Sequence, residues 1–265
     1  MGKIKLLIKY LIYRLNRKGA RGHGIHSPFI YDFNRNVLNS SEKYPEYIDI
    51  GNYRRNLLRN RETIKVDDRG AGSVVFSSSQ RRISDIVSKA ASSYRMGKLL
   101  FRLARHLQPE TTVELGTSVG FGTVCLAKGA ETGRVYSLEA CAAQVETARH
   151  ELGNAGVRNA ELLVGPFSST LPELTGRLDK IDLVYMDGDH RKEAVLWQFR
   201  KCREKASHGT VFVVADIYWS DDMTRAWKIL CRDTAVTVSV DLFFCGLLFL
   251  RKGIAKQHFI LGFSD

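Results

Sequence analysis

From Ile4 to Leu15 the apolar residues Ile4, Leu7, Ile8, Leu11, Ile12 and Leu15 recur at three- and four-residue spacing, which predicts a helix with one apolar face. Lys3, Lys5, Lys9, Arg14 and Arg17 lie mostly off that face. The expected arrangement is a first helix packed through its apolar face onto the rest of the chain. The wholly basic polar side leaves a second arrangement open, with residues 3–18 lying on an anionic membrane surface. Gly19-Ala-Arg-Gly-His-Gly-Ile-His-Ser-Pro28 ends the helix with three glycines and a proline. Phe29–Leu38 and Asn52–Asn60 read as further short helices, the latter carrying Arg54, Arg55 and Arg59. A polar loop, Asp67 to Ser73, leads through Ser77, Ser78 and Ser79 into an expected helix over Arg81–Ala91. Met96–Leu107 shows a helical apolar face (Leu99, Leu100, Leu103, Leu107) that stops before Pro109.

Beyond Pro109 the period changes. Short β-rich runs occur at Thr112–Leu115, Arg134–Leu138, Ala160–Val164, Ile181–Met186 and Thr210–Ala215. Helical stretches such as Cys141–Leu152 and Lys192–Ala206 lie between them, a pattern that predicts a parallel sheet covered by helices. Ala235–Leu242 and Gly246–Leu250 are two further strands, too close together for a crossover helix, so they must pair antiparallel. The expectation is an α/β, Rossmann-like doubly wound sheet of seven strands that closes on an antiparallel hairpin. Three regions follow: a basic, mainly helical cap over 1–80, an α/β domain over 81–253, and a tail over 254–265.

Composition narrows the class. Of 265 residues, 44% are hydrophobic and 26% charged, which argues against general disorder. The formal charge of +12 invites an anionic partner, but it is unevenly placed. Residues 1–110 hold 22 basic and 9 acidic side chains, a net of +13; residues 111–265 hold 18 and 19, a net of −1. Five cysteines (Cys125, Cys141, Cys202, Cys231, Cys245) form no C-x-x-C pair and fit neither a disulfide framework nor a zinc knuckle, which points to packed thiols in a reducing cytoplasm. The most apolar stretches, Lys3–Leu15 and Leu242–Leu250, are too short or too interrupted for a membrane span, and no signal-peptide pattern stands out.

Chemistry concentrates in Val113-Glu-Leu-Gly-Thr-Ser-Val-Gly-Phe-Gly-Thr123, a strand running through a glycine-bearing turn into a helix. Ser118 stands where a dinucleotide fingerprint needs its second glycine, and the turn lacks the lysine of a phosphate loop. Both NAD and ATP are therefore disfavoured. Glu114 ends one strand and Glu139 the next. An acid about twenty residues past such a turn is suited to the ribose hydroxyls. Glu114 is expected to face a cationic or amine-bearing group. An adenosine ligand with a positive end and no phosphate is S-adenosylmethionine.

These segments, with Met186-Asp-Gly-Asp-His190 after the fourth strand, resemble class I S-adenosylmethionine-dependent methyltransferases, in the branch similar to catechol O-methyltransferase. The resemblance covers roughly residues 80–252. It implies that Gly116, Thr117, Ser118 and Gly120 form the turn under the methionine moiety, with Phe121 nearby and with Glu139 and Ala140 at the ribose. Gly165-Pro166-Phe167 stands where relatives carry Gly-Asp-Ala at the adenine; Pro166 removes that side chain and leaves the backbone N–H and ring of Phe167. Asp187 counts on both the cofactor and the catalytic side.

Asp187 and Asp216, from neighbouring strand ends, are the carboxylates that would hold Mg²⁺, with Asp189 a third candidate. Metal-dependent relatives place an Asn or acid beside the fifth-strand Asp, whereas Ala215 and Ile217 flank Asp216 here. The pair is thin for a divalent ion, and the balance tips slightly against a metal. His190 leads as general base. Trp219 and Trp227 are candidates for an acceptor wall, Trp227 more naturally as core. His23 and His26 read as exposed loop histidines. The activity so implied is O-methylation of a small-molecule acceptor, an acidic one being favoured by the basic first half, in the cytoplasm or against the inner membrane surface. The alternatives are an RNA methyltransferase using the basic region, and a catalytically silent membrane-surface or scaffold protein. Against RNA, residues 1–110 show no recognisable RNA-binding module.

Overall fold

Ser27, Ser93 and Ser220 each turn a hydroxyl back onto the backbone N–H three residues on, at Ile30 (3.4 Å), Met96 (3.2 Å) and Met223 (3.0 Å), and a helix begins just after each. The structure, a computed structural model, describes residues 3–17, 25–67, 78–89 and 91–263. The elements open with α1 (Lys3–Asn16), α2 (Pro28–Phe33), α3 (Glu46–Arg59), β1 (Thr63–Lys65), β2 (Gln80–Arg82), α4 (Ile83–Lys89) and α5 (Tyr94–Leu107). Alternation follows: β3 (Thr111–Leu115), α6 (Phe121–Gly129), β4 (Arg134–Glu139), α7 (Ala142–Asn154), β5 (Ala160–Val164), α8 (Phe167–Arg177), β6 (Ile181–Met186), α9 (Lys192–Arg203) and β7 (Ala206–Ala215). The chain closes with α10 (Asp221–Arg232), β8 (Val238–Asp241), β9 (Cys245–Phe249) and β10 (Gln257–Ile260). It folds as two units, residues 41–177 in one and residues 1–40 with 178–265 in the other.

In the unit of residues 41–177, β3 pairs with β4 and β4 with β5, all parallel, in a register that sets Glu114 beside Ser137 and Glu139 beside Val164. Parallel neighbours need crossovers, which α6 and α7 supply. Val113, Leu115, Val135 and Leu138 have no exposed surface. The basic segment expected to be mainly helical also contributes an antiparallel pair, β1 with β2, Thr63 opposite Arg82. The expected helix over Arg81–Ala91 therefore starts only at Ile83. The loop residues 68–77, including Ser77, lie outside the described residues.

In the other unit, β6 and β7 are parallel, β9 runs antiparallel to both β7 and β8, and β10 lies parallel to β8. The antiparallel close is as expected. The strand count is not: three strands in one unit and five in the other, beside the β1–β2 pair, replace the seven expected. The extra strand sits in the segment taken for a tail. Four residues with one buried side chain, Phe259, carry almost no period, and β10 is held by hydrogen bonds to a strand some twenty residues earlier. Other ends move as well. Residues 29–38 are an α-helix only to Phe33 and a π-helical turn beyond; α3 starts six residues before Asn52; α9 stops at Arg203, so that Ala206 already belongs to β7. Residue 80 falls within the unit of residues 41–177.

The orientation of α1 reverses expectation. Its apolar stripe is exposed: Ile4 76%, Leu7 56%, Leu11 52%, Leu15 85%. The helix docks instead through the opposite side. Lys5 Nζ meets Asp221 at 2.6 Å, Lys9 Nζ donates to Thr224 Oγ1 at 2.8 Å, and the buried Tyr13 hydroxyl donates to the Leu261 carbonyl at 2.6 Å. Tyr10 and Tyr13 pack on Phe243, ring centroids 4.9 and 5.3 Å away. Aromatic stacking with a buried hydroxyl bond offers more contact per residue than aliphatic side chains alone, and it selects the docked face.

Candidate active site

The glycine turn is built as the chain leaves β3. Gly116 (φ 108°), Ser118 (φ 48°) and Gly120 (φ 82°) all take left-handed backbone, which lets the turn reverse within five residues. Gly116 N–H donates to the Leu138 carbonyl at 2.9 Å and Gly120 N–H to that of Thr117 at 2.8 Å. Gly120 then caps α6, which begins at Phe121. A Cβ at Gly120 would stand 2.5 Å from the Tyr53 hydroxyl. That hydroxyl donates to the Val119 carbonyl at 2.9 Å, so a residue of α3 braces the turn from below.

The two strand-end acids differ. Glu114 has no exposed surface, and its Oε2 accepts from the Thr123 and Ser137 hydroxyls. The register that puts Ser137 beside it, and the first turn of α6 above it, bring both hydroxyls to that one oxygen. Thr117 Oγ1 joins this cluster 2.6 Å from Ser137 Oγ. Glu139 is only half-buried. Its Oε2 accepts from Ser118 N–H and its Oε1 from Cys141 N–H, both at 3.0 Å. It therefore ties the turn to the start of α7, and Gln144 adds a 3.2 Å bond to Ser118 Oγ. Ala140 is half-buried beside it. Gly165 follows β5 and donates to the Glu139 carbonyl at 2.9 Å; Pro166 is exposed and Phe167 half-buried at the start of α8.

In the other unit a second set of side chains gathers at the carboxyl ends of β6 and β7. One ligand atom from each of Asp187, His190 and Asp216 lies within 4.8 Å of the other two. His190 Nε2 is 3.8 Å from Asp216 Oδ2, and Tyr185 donates to Asp187 Oδ2 at 2.7 Å. Asp216 takes left-handed backbone (φ 54°) and donates its N–H to the Phe244 carbonyl at 2.7 Å, which turns its side chain back toward the end of β6. Burial and the Asp187 charge, opposed by His190, push its carboxyl up to about 6. Trp219 stands against His190, ring centroids 5.5 Å apart.

The remaining candidates separate cleanly. Asp189 is corrected as a metal ligand, because both its oxygens are spent on Arg191, at 2.6 to 3.3 Å. Trp227 is core: it is 3% exposed and lies against Gly246. His26 is exposed, and His23 lies outside the described residues. Burial pushes the Cys202 thiol up to about 12 and raises that of Cys125, as expected of packing rather than nucleophilic cysteines. Tyr53, Tyr185 and the exposed Val164 at the end of β5 are the functional positions not anticipated. Tyr185 lies two residues before Asp187 on one strand, the spacing that puts two side chains on the same face, and that signal was available.

Known proteins resemble this chain in sequence and fold. Residues 113–217 match the model of the family described as "Methyltransferase domain". The catechol O-methyltransferase of Mycobacterium tuberculosis is 38% identical over 133 residues, 49% of this chain and 58% of that protein. The chain spans little more than half the length of the curated relatives it matches. Among solved structures, cofactor-bound Rv0187 from MTB is 31% identical, with 62% of this chain and 84% of that one covered and a TM-score of 0.55. The O-methyltransferase TomG from Streptomyces achromogenes, at 24% identity, covers 61% of this chain and 82% of its own with a TM-score of 0.54, and shares the fold. With a glycine turn braced by strand-end acids and a relative matched over most of its length, the chain belongs to the class I S-adenosylmethionine-dependent methyltransferases.

Proposed function

We propose that this protein transfers the methyl group of S-adenosylmethionine to a hydroxyl of a small-molecule acceptor. The observation that carries the proposal is the convergence of Asp187, His190 and Asp216 at two parallel strand ends. Methyl transfer needs in-line alignment and removal of one proton, since the sulfonium is already activated. His190 takes the hydroxyl proton, and Asp216 steadies the imidazolium that results. On the cofactor side, the Glu139 carboxylate, which accepts from Ser118 and Cys141 N–H, also accepts from the ribose diol, since each carboxylate oxygen can take more than one donor. Gly116, Thr117, Ser118 and Gly120 offer backbone to the methionine moiety. Val164 and Phe167 offer apolar surface to the adenine. Glu114 supports the turn without touching the ligand.

The same three side chains favour a second reading of the acceptor chemistry. Two carboxylates and an imidazole are a donor set for one divalent cation, better than the carboxylate pair alone. Such an ion would lower the pKa of the acceptor hydroxyl. The names of the relatives, catechol O-methyltransferase among them, support a hydroxyl acceptor over RNA. The +13 of residues 1–110 supports an acidic acceptor, and five free cysteines support a reducing compartment.

The test is transfer of labelled methyl from S-adenosylmethionine to catechols and to the small-molecule fraction of a cell extract, alongside calorimetric cofactor binding. Transfer to a hydroxyl acceptor that falls about a hundredfold or more in His190→Ala is expected. Label arriving in RNA, or a wild type that binds no cofactor, overturns the proposal.

A further inference from the structure

Among the described residues nothing covers the apolar side of α1, where Ile4, Leu7, Leu11 and Leu15 are each more than half exposed. A helix that docks through Lys5, Lys9, Tyr10 and Tyr13 and turns its aliphatic stripe outward spends its best burial surface on water. We infer that α1 lies in the interface of an anionic lipid surface, with its apolar stripe among the acyl chains and its cations at the headgroups.

Charge chooses this occupant. At 100° per residue, Lys5 borders the stripe on one side and Arg14 on the other, and α1 contains no acidic residue at all. A second copy brought face to face across a two-fold axis would set these cations against their own kind. An anionic headgroup layer meets them with the opposite sign, and each lysine or arginine near such a surface adds to the attraction. Length excludes insertion across the bilayer: 14 residues reach about 21 Å, and among the described residues no helix is long and apolar enough to cross a membrane. A basic amphipathic helix lying flat is the remaining geometry. The inference stands apart from the methyl-transfer proposal, because it uses none of the residues placed in that site.

The test uses the whole chain with vesicles of phosphatidylcholine mixed with phosphatidylglycerol, and with vesicles of phosphatidylcholine alone, followed by sedimentation. Expected is association with the anionic vesicles that weakens as salt rises. It should fall about tenfold or more in the double variant Leu7→Glu, Leu11→Glu, and measurably in Arg14→Glu. Because these side chains are exposed, the thermal unfolding of the variants stays that of the wild type. Equal binding to both vesicle types, no binding, or undiminished binding by the double variant overturns the inference. So does a stable dimer that the double variant splits while vesicles are ignored, which would assign the stripe to a second copy.

Discussion

Glu139→Gln separates bracing of the turn from recognition of the cofactor. Glutamine has the size of glutamate, but only one of its terminal atoms accepts. In the wild type the two carboxylate oxygens take Ser118 N–H and Cys141 N–H, each at 3.0 Å. Hydrogen bonds to a charged group contribute about 1.5–3 kcal/mol each. The amide keeps one of them in weaker, neutral form and turns an N–H against the other donor, so stability should fall by about 1–3 kcal/mol, read as the urea midpoint at unchanged slope. If Glu139 also holds the ribose, cofactor binding loses about a further 1.5–3 kcal/mol, or roughly 10- to 150-fold in Kd. Glu139→Ala should weaken binding at least as much. Calorimetric titration with S-adenosylmethionine, on samples shown to be folded, reads the second effect apart from the first. A glutamine variant that is less stable yet binds cofactor within about twofold of the wild type would refute the ribose role and leave Glu139 as a brace alone.

Three further outcomes follow from the geometry. Chelation by EDTA and the His190→Ala substitution discriminate the two acceptor chemistries: with His190 as base, activity survives EDTA and the variant loses a limb of the pH–rate profile, whereas EDTA-sensitive activity restored by added divalent ion assigns the three side chains to a cation. Asp216 holds its proton up to about 6 in the fold against an ordinary 3.8. Stability is then highest below the lower value and falls as pH rises through the higher one, by about 1 kcal/mol or less given the half-exposed side chain. Asp216→Asn should flatten that fall in urea midpoints taken with chelator present; parallel curves for variant and wild type would contradict it. Gly246→Ala puts a Cβ 2.3 Å from the Trp227 ring within a paired strand, and overpacking of this kind costs about 1–3 kcal/mol. Tm should drop by roughly 2–10 °C, and an unchanged Tm would show that Trp227 has room to yield.

What the sequence disclosed depended on how local the cause was. The runs that became β3 to β7 were legible because strand and helix periods alternate there, and the antiparallel close because its connection is too short for anything else. The strand-end placement of Glu139, Asp187, His190 and Asp216 was legible because each ends a strand or lies within a few residues of one. The side of α1 that docks was not. Amphipathic spacing places Leu7 and Leu11 on one face but says nothing of whether that face meets protein, and the deciding contacts, Tyr13 to Leu261 and Lys5 to Asp221, lie more than 200 residues away. The same distance in kind hid Tyr53 under the glycine turn and Ser137 beside Glu114. Glu114 looked like a ligand-facing acid because strand ends usually are open. The hydroxyls that cover it arrive from the next strand and the next helix.

The docking of α1 also bears on how the chain comes to be folded. Its anchor at Leu261 is made 248 residues after Tyr13, which at about 5–20 residues per second leaves α1 without its folded partner for about 12–50 s of synthesis. Residues 41–177 gather their own parallel strands meanwhile, so folding proceeds from the interior of the chain outward. A nascent helix that is basic along one side and aliphatic along the other spends that interval free to meet a membrane first. If α1 meets lipid as proposed above, residues 178–265 join a helix already at a membrane surface, and the order of synthesis bears on where the finished protein resides.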